Sequence, residues 1–165
     1  MFVDQKKEGE AMAERNGKEK TVVFNRRASH DYFLEDRYEC GIQLTGTEIK
    51  SIRAGKVQFK DSYISIYKGE AWIKGMHISN YSYGNIFNVD EERDRKLLLH
   101  KEEIRKIYDN IRMKGYTVVP VRMYLKSGRA KLEIALAKGK NLYDKRQSDK
   151  IRDAKREMEK ALKFH

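Results

Sequence analysis

Residues 116–137 read YTVVPVRMYLKSGRAKLEIALA, two apolar runs separated by a short polar turn. In the second run every other residue is apolar, as expected of a strand with one buried face; these residues are Ala130, Leu132, Ile134 and Leu136. The Lys-Ser-Gly sequence at 126–128 predicts the turn of a β-hairpin that joins the two runs. Pro120 cannot donate to a sheet ladder, so we expect an edge position or a bulge in the first strand.

Weaker patterns on the N-terminal side predict more strands and two helices. Alternation indicates strands at 38–44, 63–67 and 71–78, the last two joined by a Lys-Gly-Glu turn. Helical spacing predicts a short helix at 45–54 capped by Thr47 and a longer one at 101–114 that ends at Gly115. Residues 80–94 show no period and predict a long loop. A mainly β chain with helices and roughly five to six short strands is typical of an OB-fold, a small antiparallel β-barrel.

Charge divides the chain into three segments. Of the 165 residues, 36 are Lys or Arg and 25 are Asp or Glu, which gives a formal net charge of +11. Residues 1–20 sum to zero, residues 21–137 carry 21 basic and 15 acidic side chains, and residues 138–165 carry 10 basic and 5 acidic ones. We therefore predict a flexible charged leader at 1–20, a folded body at 21–137 and a flexible basic tail at 138–165. The positive excess indicates a polyanionic partner.

The composition argues against several classes of protein. Cys40 is the only cysteine and the four histidines are scattered, so we expect neither an intramolecular disulfide nor a metal site. No segment has the length and hydropathy of a signal peptide or a membrane span, which predicts a cytoplasmic protein without a membrane partner. The sequence contains no phosphate-binding loop, nucleophile elbow or His-Glu-x-x-His motif, so we expect no cofactor and no catalytic residues.

The neighbours His30 and Asp31 are the pair that would fit the acid-base couple of a metal-independent nuclease. That reaction would also need a second proton donor and a group that holds the scissile phosphate. The sequence offers no candidate for either, and we interpret the pair as part of a solvated turn or a helix end. Three function classes remain, in this order: an adaptor for a specific RNA, a general ribosomal or single-strand-binding OB protein, and a small RNA-processing enzyme.

RNA binding needs cations for the phosphates and rings or polar groups for the bases. The body supplies basic candidates at Arg26, Arg27, Lys50, Arg53, Lys56, Arg95, Lys96 and Lys131. Its aromatic candidates are Tyr63, Trp72, Tyr81 and Tyr83. Each of these residues, taken alone, has an ordinary alternative as a solvated charge or a core ring.

The tail combines positive charge with weak helical character. Its apolar residues from Asp149 onward recur at intervals of three and four, at Ile151, Ala154, Met158 and Ala161. This stripe is too thin to hold a helix without a partner. A solvated tail is one interpretation, and a segment that folds on contact with RNA is the other.

Several strings of the sequence resemble the small protein B family, in the order in which that family carries them. They are NRRASHDYF at 25–33, YECGI at 38–42, GTEIKSIRAGK at 46–56, RKLLL at 95–99, KGYTVV at 114–119, AKGK at 137–140 and DKR at 144–146. The resemblance implies an OB-fold that binds the tRNA-like domain of tmRNA, the SsrA RNA. It also implies a tail that enters the 16S rRNA decoding region and mRNA path of a stalled ribosome during trans-translation. We expect a monomer whose tail is disordered, or helical when bound to the ribosome.

The resemblance implies roles for individual residues of the body. It points to four positions that contact tmRNA or shape its site: Asn25, Glu39, Leu98 and Lys131. To these we add the basic candidates for RNA binding, Arg26, Lys50, Lys56, Lys96 and Lys138. A carboxylate such as Glu39 within a basic surface can accept hydrogen bonds from base amino groups, which adds selectivity that positive charge cannot provide. The alternative for Glu39 is an ordinary salt bridge to a neighbouring arginine.

In the tail, the resemblance implies ribosome-engaging positions at Gly139, Lys140, Asp144, Lys145 and Arg146. Tyr143 is a candidate for stacking on an exposed rRNA base. Ile151 and Met158 complete the predicted set as members of the apolar stripe. Residues 1–20 have no counterpart in the family pattern, and residues 147–151 depart from it, so the resemblance implies no role for the leader and no definite start for the tail helix.

Overall fold

The computed structural model describes residues 19–81, 88–140 and 142–163, with side chains at 142–144, 148 and 161–163 excepted. Its elements, in chain order, are β1 (Glu19–Phe24), α1 (Arg26–Asp31), β2 (Tyr32–Ile42), α2 (Gly46–Arg53), β3 (Val57–Gln58), β4 (Tyr63–Tyr67), β5 (Glu70–Lys74), β6 (His77–Ile78), β7 (Arg95–Leu98), α3 (Lys101–Lys114), β8 (Thr117–Lys126), β9 (Arg129–Gly139) and α4 (Leu142–Lys163).

Seven strands form one antiparallel sheet in the order β1-β8-β9-β2-β7-β5-β4, and β3 pairs with β6 in a separate ladder. The edge strand β4 packs against β8 at the other end of the sheet without a hydrogen-bonded ladder between them. The predicted mainly β class with an antiparallel OB-type barrel is confirmed, with the difference that the barrel is not closed.

The main core lies on one side of the sheet. The apolar alternation of β9 is buried as predicted, and Ile52 of α2 and Ile107 of α3 pack into the same cluster. A smaller cluster on the opposite face joins Ala28 of α1 to Val119 and Ala137. Helix α1 therefore covers one end of the outward face and leaves the other end open.

The helix predicted at 101–114 has those bounds, and Gly115 ends it with a φ of 68°. The predicted helix at 45–54 is present, but the cap is Thr45 and not Thr47. The Thr45 hydroxyl accepts from the Glu48 backbone while the Glu48 carboxylate accepts from Thr45 N at 2.9 Å. The prediction of Thr47 was wrong. Thr45 is the threonine with a glutamate three residues later, the spacing that a capping box needs.

Other boundaries differ from the sequence-based prediction. Strand β2 begins at Tyr32, six residues before the predicted start, and β1, α1 and β7 had not been predicted at all. The strand expected at 71–78 is wrong as one strand, because Gly75, with a φ of 80°, breaks it into β5 and β6 of different sheets. Strand β1 begins at Glu19, within the range assigned to the leader, and residues 1–18 lie outside the described residues.

Pro120 lies in β8 beyond the residues that pair with β1, which are Arg122 to Lys126, and it pairs with Ile134 of β9. The register between β8 and β9 shifts between Pro120 and Arg122, so the prediction of an edge position or a bulge is confirmed. The loop predicted at 80–94 contains no helix or strand at 80, 81 or 88–94. None of the helices in the described part of the chain is long and apolar enough to cross a membrane.

Candidate nucleic-acid interface

The open end of the outward sheet face brings together residues from three strands, β2, β7 and β9. Gly41 of β2 lies opposite Leu98 of β7 on one side and Lys131 of β9 on the other. Glu39, two residues before Gly41, points to the same face because side chains alternate along a strand. Three of the four body positions implied by the family resemblance, Glu39, Leu98 and Lys131, are thus neighbours on one surface, which we call the outer face.

Glu39 is anchored by a tyrosine that the sequence analysis had not selected. The Tyr124 hydroxyl donates to the Glu39 carboxylate, and Lys126 Nζ lies 3.6 Å from it. The hydrogen bond from Tyr124 is the main cause that lowers the pKa of Glu39, helped by Lys126 and Lys131. The carboxylate is therefore ionised, and with 44 % of the side chain exposed it keeps acceptor capacity toward solvent.

Tyr124 is buried although it lies on the outer face. Arg122 covers it, with the guanidinium 4.0 Å from the ring centroid. Burial and the bond to Glu39 raise the pKa of Tyr124, so its hydroxyl stays a donor at neutral pH. Tyr124 thus fixes the orientation of Glu39 without being available to a ligand itself.

Arg122 belongs to a network of ion pairs beside this site. Its Nε donates to Glu133 at 2.6 Å, and Glu133 also accepts from Arg37 at 3.1 Å. Glu19 lies 3.6 Å from the same guanidinium. Lys131, in contrast, forms no salt bridge with any acid that the structure describes, and its charge acts on Glu39 only from beyond salt-bridge distance.

Leu98 extends the outer face toward α3. Its side chain is 51 % exposed and lies over Gly41, where an added Cβ would be 3.3 Å from it. Beside it a groove of about 850 Å³ runs between the β4–β5 turn and α3. Lys96, Lys101 and Arg105 line this groove together with Tyr108, so the surface next to Leu98 is both apolar and positively charged.

Asn25 occupies a structural position at the other end of the outward face. Its Oδ1 accepts from Ala28 N at 3.2 Å and so caps α1, while its Nδ2 donates to Pro120 O at 2.8 Å. The bond to Pro120 ties the start of α1 to β8. Asn25 therefore shapes the surface on which the adjacent Arg26 and Arg27 are exposed.

Several predicted RNA-binding residues lie away from the outer face. Lys50 is on α2, with Nζ 5.2 Å from the Tyr81 ring centroid, and Lys56 follows that helix. Lys138 has the same alternation as Leu136 and lies on the opposite side of β9 from Lys131. Lys96 is on the outer face, although its Nζ lies 3.1 Å from Glu70.

The interpretation of Arg95 as a phosphate-binding cation is wrong. Its side chain is 0 % exposed, with Nε 2.5 Å from Glu48 Oε2 and Nη1 2.8 Å from Met76 O. Among the aromatic candidates, Tyr63 is exposed while Trp72 and Tyr81 are partly buried. Tyr83 lies outside the described residues.

The tail is a helix from Leu142 to Lys163. Gly139 ends β9, and Lys140 N donates to Asp31 O at 2.9 Å. Lys145 lies 3.5 Å from Asp31, whereas Arg146, Ile151 and Met158 are exposed. Tyr143 and Asp144 fall in the first turn of α4, and their side chains are outside the described residues.

The residues that sequence reasoning missed are Arg122, Tyr124, Lys126 and Glu133. A signal for them existed, because Tyr124 faces Lys131 once the hairpin turn at 126–128 fixes the register. The same count pairs Arg122 with Glu133, because the register shifts only beyond Arg122, between it and Pro120. Within the described residues no cluster of His, Cys, Asp and Glu has the geometry of a metal site.

Comparison with known proteins shows which family the chain is similar to. A family model described as SmpB protein matches residues 22–164. An SsrA-binding protein of Acetivibrio thermocellus is 56 % identical over 144 residues, which cover 87 % of this chain and 94 % of the relative. The SsrA-binding protein of Clostridium acetobutylicum is 52 % identical over 152 residues, covering 92 % and 98 %. A solved structure described as "tmRNA-SmpB: a journey to the center of the bacterial ribosome" contains a similar chain, with 45 % identity and a TM-score of 0.62 over 73 % of this chain and 85 % of that one.

Proposed function

This chain belongs to the SmpB protein family, and from that premise we propose that it binds the tRNA-like domain of tmRNA and acts with it in trans-translation on stalled ribosomes. The observation that carries the proposal is the convergence of Glu39, Leu98 and Lys131 on the outer face. A fixed carboxylate, an exposed apolar side chain and an unpaired lysine together offer a base-edge acceptor, a packing surface and a phosphate contact.

The proposed role is that of an adaptor in the cytoplasm and not of an enzyme. His30 and Asp31, the pair considered for catalysis, contact each other and side chains of α4, so both groups already have charged partners. The outer face and α4 have separate roles in this proposal. The outer face holds the RNA, while α4, with its exposed cations, enters the decoding region and the mRNA path.

The test is binding of the full chain to a transcribed tRNA-like domain of tmRNA, measured against a hairpin of the same length and charge over a range of salt concentrations. We expect clear preference for the tRNA-like domain and an affinity that falls steeply with salt, because several phosphates are neutralised together. Equal affinity for both RNAs would support a general single-strand or ribosomal OB protein instead. Turnover of the RNA by the wild type, and its loss in His30→Ala, would support the enzyme.

A further inference from the structure

His30 joins two helices that are far apart in sequence. Its Nδ1 lies 2.9 Å from Asp31 Oδ1 in α1, and its Nε2 lies 3.1 Å from Asp149 Oδ1 in α4. A neutral imidazole has one N–H and can donate to only one of these carboxylates, whereas an imidazolium donates to both. The geometry is therefore that of a protonated histidine held between two acids.

The charged groups around His30 come from both helices and from the segment between β9 and α4. Lys145 Nζ is 3.5 Å from Asp31, and Arg152 donates to Asp149 at 2.6 Å. Lys140 donates from Nζ to Ser29 O at 3.1 Å. Each of the two carboxylates thus faces His30 on one side and a second cation, Lys145 or Arg152, on the other.

These contacts are concentrated at the root of the helix. Helix α4 packs against α1 through its first turns, and the side chains from Lys150 to Lys160 are all exposed. A surface helix without a packed face gains little from its own propensity. Whatever sets the direction of α4 relative to the barrel must act through the few residues that touch α1.

We propose that His30 is a latch that fixes the direction and order of α4 in the free protein, by bridging Asp31 and Asp149 in its protonated form. The proposal assigns a positioning role to a histidine that the RNA-binding surface does not use, and it concerns the chain before any RNA is bound. The second carboxylate, Asp149, comes from the segment 147–151 where the sequence departs from the family pattern.

The pH dependence of the latch follows from its charges. Hydrogen bonds with Asp31 and then with Asp149 raise the pKa of His30 above its ordinary value of about 6.5. The bridge is therefore complete below about pH 6.5 and is lost as the pH rises through the raised pKa. In the reverse direction, the bond with His30 lowers the pKa of Asp31, so this carboxylate stays ionised throughout that range.

The test is backbone ¹⁵N relaxation of the full chain between pH 5.5 and pH 8.5, with the titration of the His30 ring followed in the same samples. We expect the amides of residues 150–160 to be ordered at low pH and to become mobile as the pH rises, with the midpoint of His30. Residual dipolar couplings should show α4 losing its fixed direction over the same range. Because no RNA or ribosome is present, failure of the proposed function leaves this result unaffected.

Three variants separate the latch from general effects on the helix. Asp149→Asn should lower the His30 midpoint and leave α4 mobile at every pH, while Asp153→Asn, the same charge change one turn later, should behave like the wild type. Arg152→Gln removes the i,i+3 partner of Asp149 but keeps His30 in place, and should also retain the transition. His30→Gln should abolish the pH dependence altogether.

Unchanged sheet amide shifts will establish that each variant is folded. The Asp149→Asn variant lies on an exposed helix outside the sheet, so it remains informative even if His30→Gln disturbs α1. An ordered α4 at pH 8.5 in the wild type would overturn the proposal. So would identical relaxation in Asp149→Asn and Asp153→Asn.

Discussion

Glu48 and Arg95 form an ion pair with almost no contact with solvent, at 4 % and 0 % side-chain exposure. The pair joins α2 to β7, and Arg95 also donates to Met76 O and Glu91 O. Burial alone would raise the pKa of Glu48, but bonds from Arg93, the Thr45 backbone and Arg95 outweigh it and lower that pKa. A charge that looked like part of an RNA-binding surface is thus a central connection of the fold.

The first prediction concerns this pair. Glu48→Gln leaves Arg95 buried without its counter-ion, and we expect a loss of about 3–5 kcal/mol in the free energy of unfolding. Urea denaturation measures the loss, with the exposed Glu102→Gln as control. Because the pKa of Glu48 is lowered in the fold, its contribution is present above its ordinary pKa and is lost as the pH falls through the folded value. A wild-type loss of stability in mild acid that persists unchanged in Glu48→Gln would contradict this assignment.

The second prediction separates the two bonds of Asn25. Asn25→Ala removes the cap of α1 and the tie to Pro120, and should cost about 1–3 kcal/mol of stability. Asn25→Asp retains an acceptor for Ala28 N but cannot donate to Pro120 O, so its cost should be intermediate. Thermal unfolding ranks the three proteins. If both variants are as stable as the wild type and still lose RNA affinity, Asn25 contacts RNA directly and is not a structural cap.

The third prediction uses the contact between Gly41 and Leu98. Gly41→Ala places a methyl group 3.3 Å from both Cβ and Cδ1 of Leu98. The Leu98 side chain must therefore shift, and its exposed end has room to turn away. We expect RNA affinity to fall several-fold while the unfolding free energy changes by less than about 1 kcal/mol. Gly46→Ala, where an added Cβ meets nothing, is the matched control for binding. Unaltered affinity in Gly41→Ala would remove Leu98 from the interface.

The fourth prediction tests Lys131 as a phosphate contact. Lys131→Ala should weaken binding to the tRNA-like domain and reduce the slope of log affinity against log salt by about one. Lys106→Ala makes the same charge change on α3, away from the outer face, and should leave the slope unchanged. Titrations at four or more salt concentrations give the slopes. Equal slopes for the two variants would mean that only the total charge matters.

The fifth prediction concerns the division between the two ends of the molecule. Removal of residues 141–165 keeps Gly139 in β9 and the Lys140 bond to Asp31, so the barrel should stay intact. Affinity for the tRNA-like domain should change little, while peptide tagging on stalled ribosomes should be abolished. A binding assay and a tagging assay on the same preparation decide it. Loss of RNA binding after truncation would place α4 in the RNA interface.

Regular patterns made part of the fold predictable. The alternation from Ala130 to Leu136 and the helical spacing from Lys101 to Lys114 both reflect one buried face, and the structure has both elements. Strand β7 and helix α1 were missed because they contain four and six residues, too few to establish a period.

The site was predictable only where the family resemblance named its residues. Composition alone treats Arg95 like any other cation, since its partner Glu48 is 47 residues away and nothing local indicates burial. The residue that holds Glu39 in place is also distant in the sequence, so local patterns do not reveal it. This residue, Tyr124, becomes visible only when the pairing of three strands is known.

Strand β9 sets a fixed spacing between the two working parts of the molecule. It carries Lys131 in the outer face and ends at Gly139, eight residues later, which corresponds to about 26 Å of extended chain. Two residues separate its end from α4, whose 22 residues add about 33 Å when helical. Because β9 is hydrogen-bonded to a strand on each side, its length is fixed. An RNA seated at Lys131 and the first turn of α4 would therefore keep a set separation, and inserting residues into β9 would misplace one against the other even with every contact side chain intact.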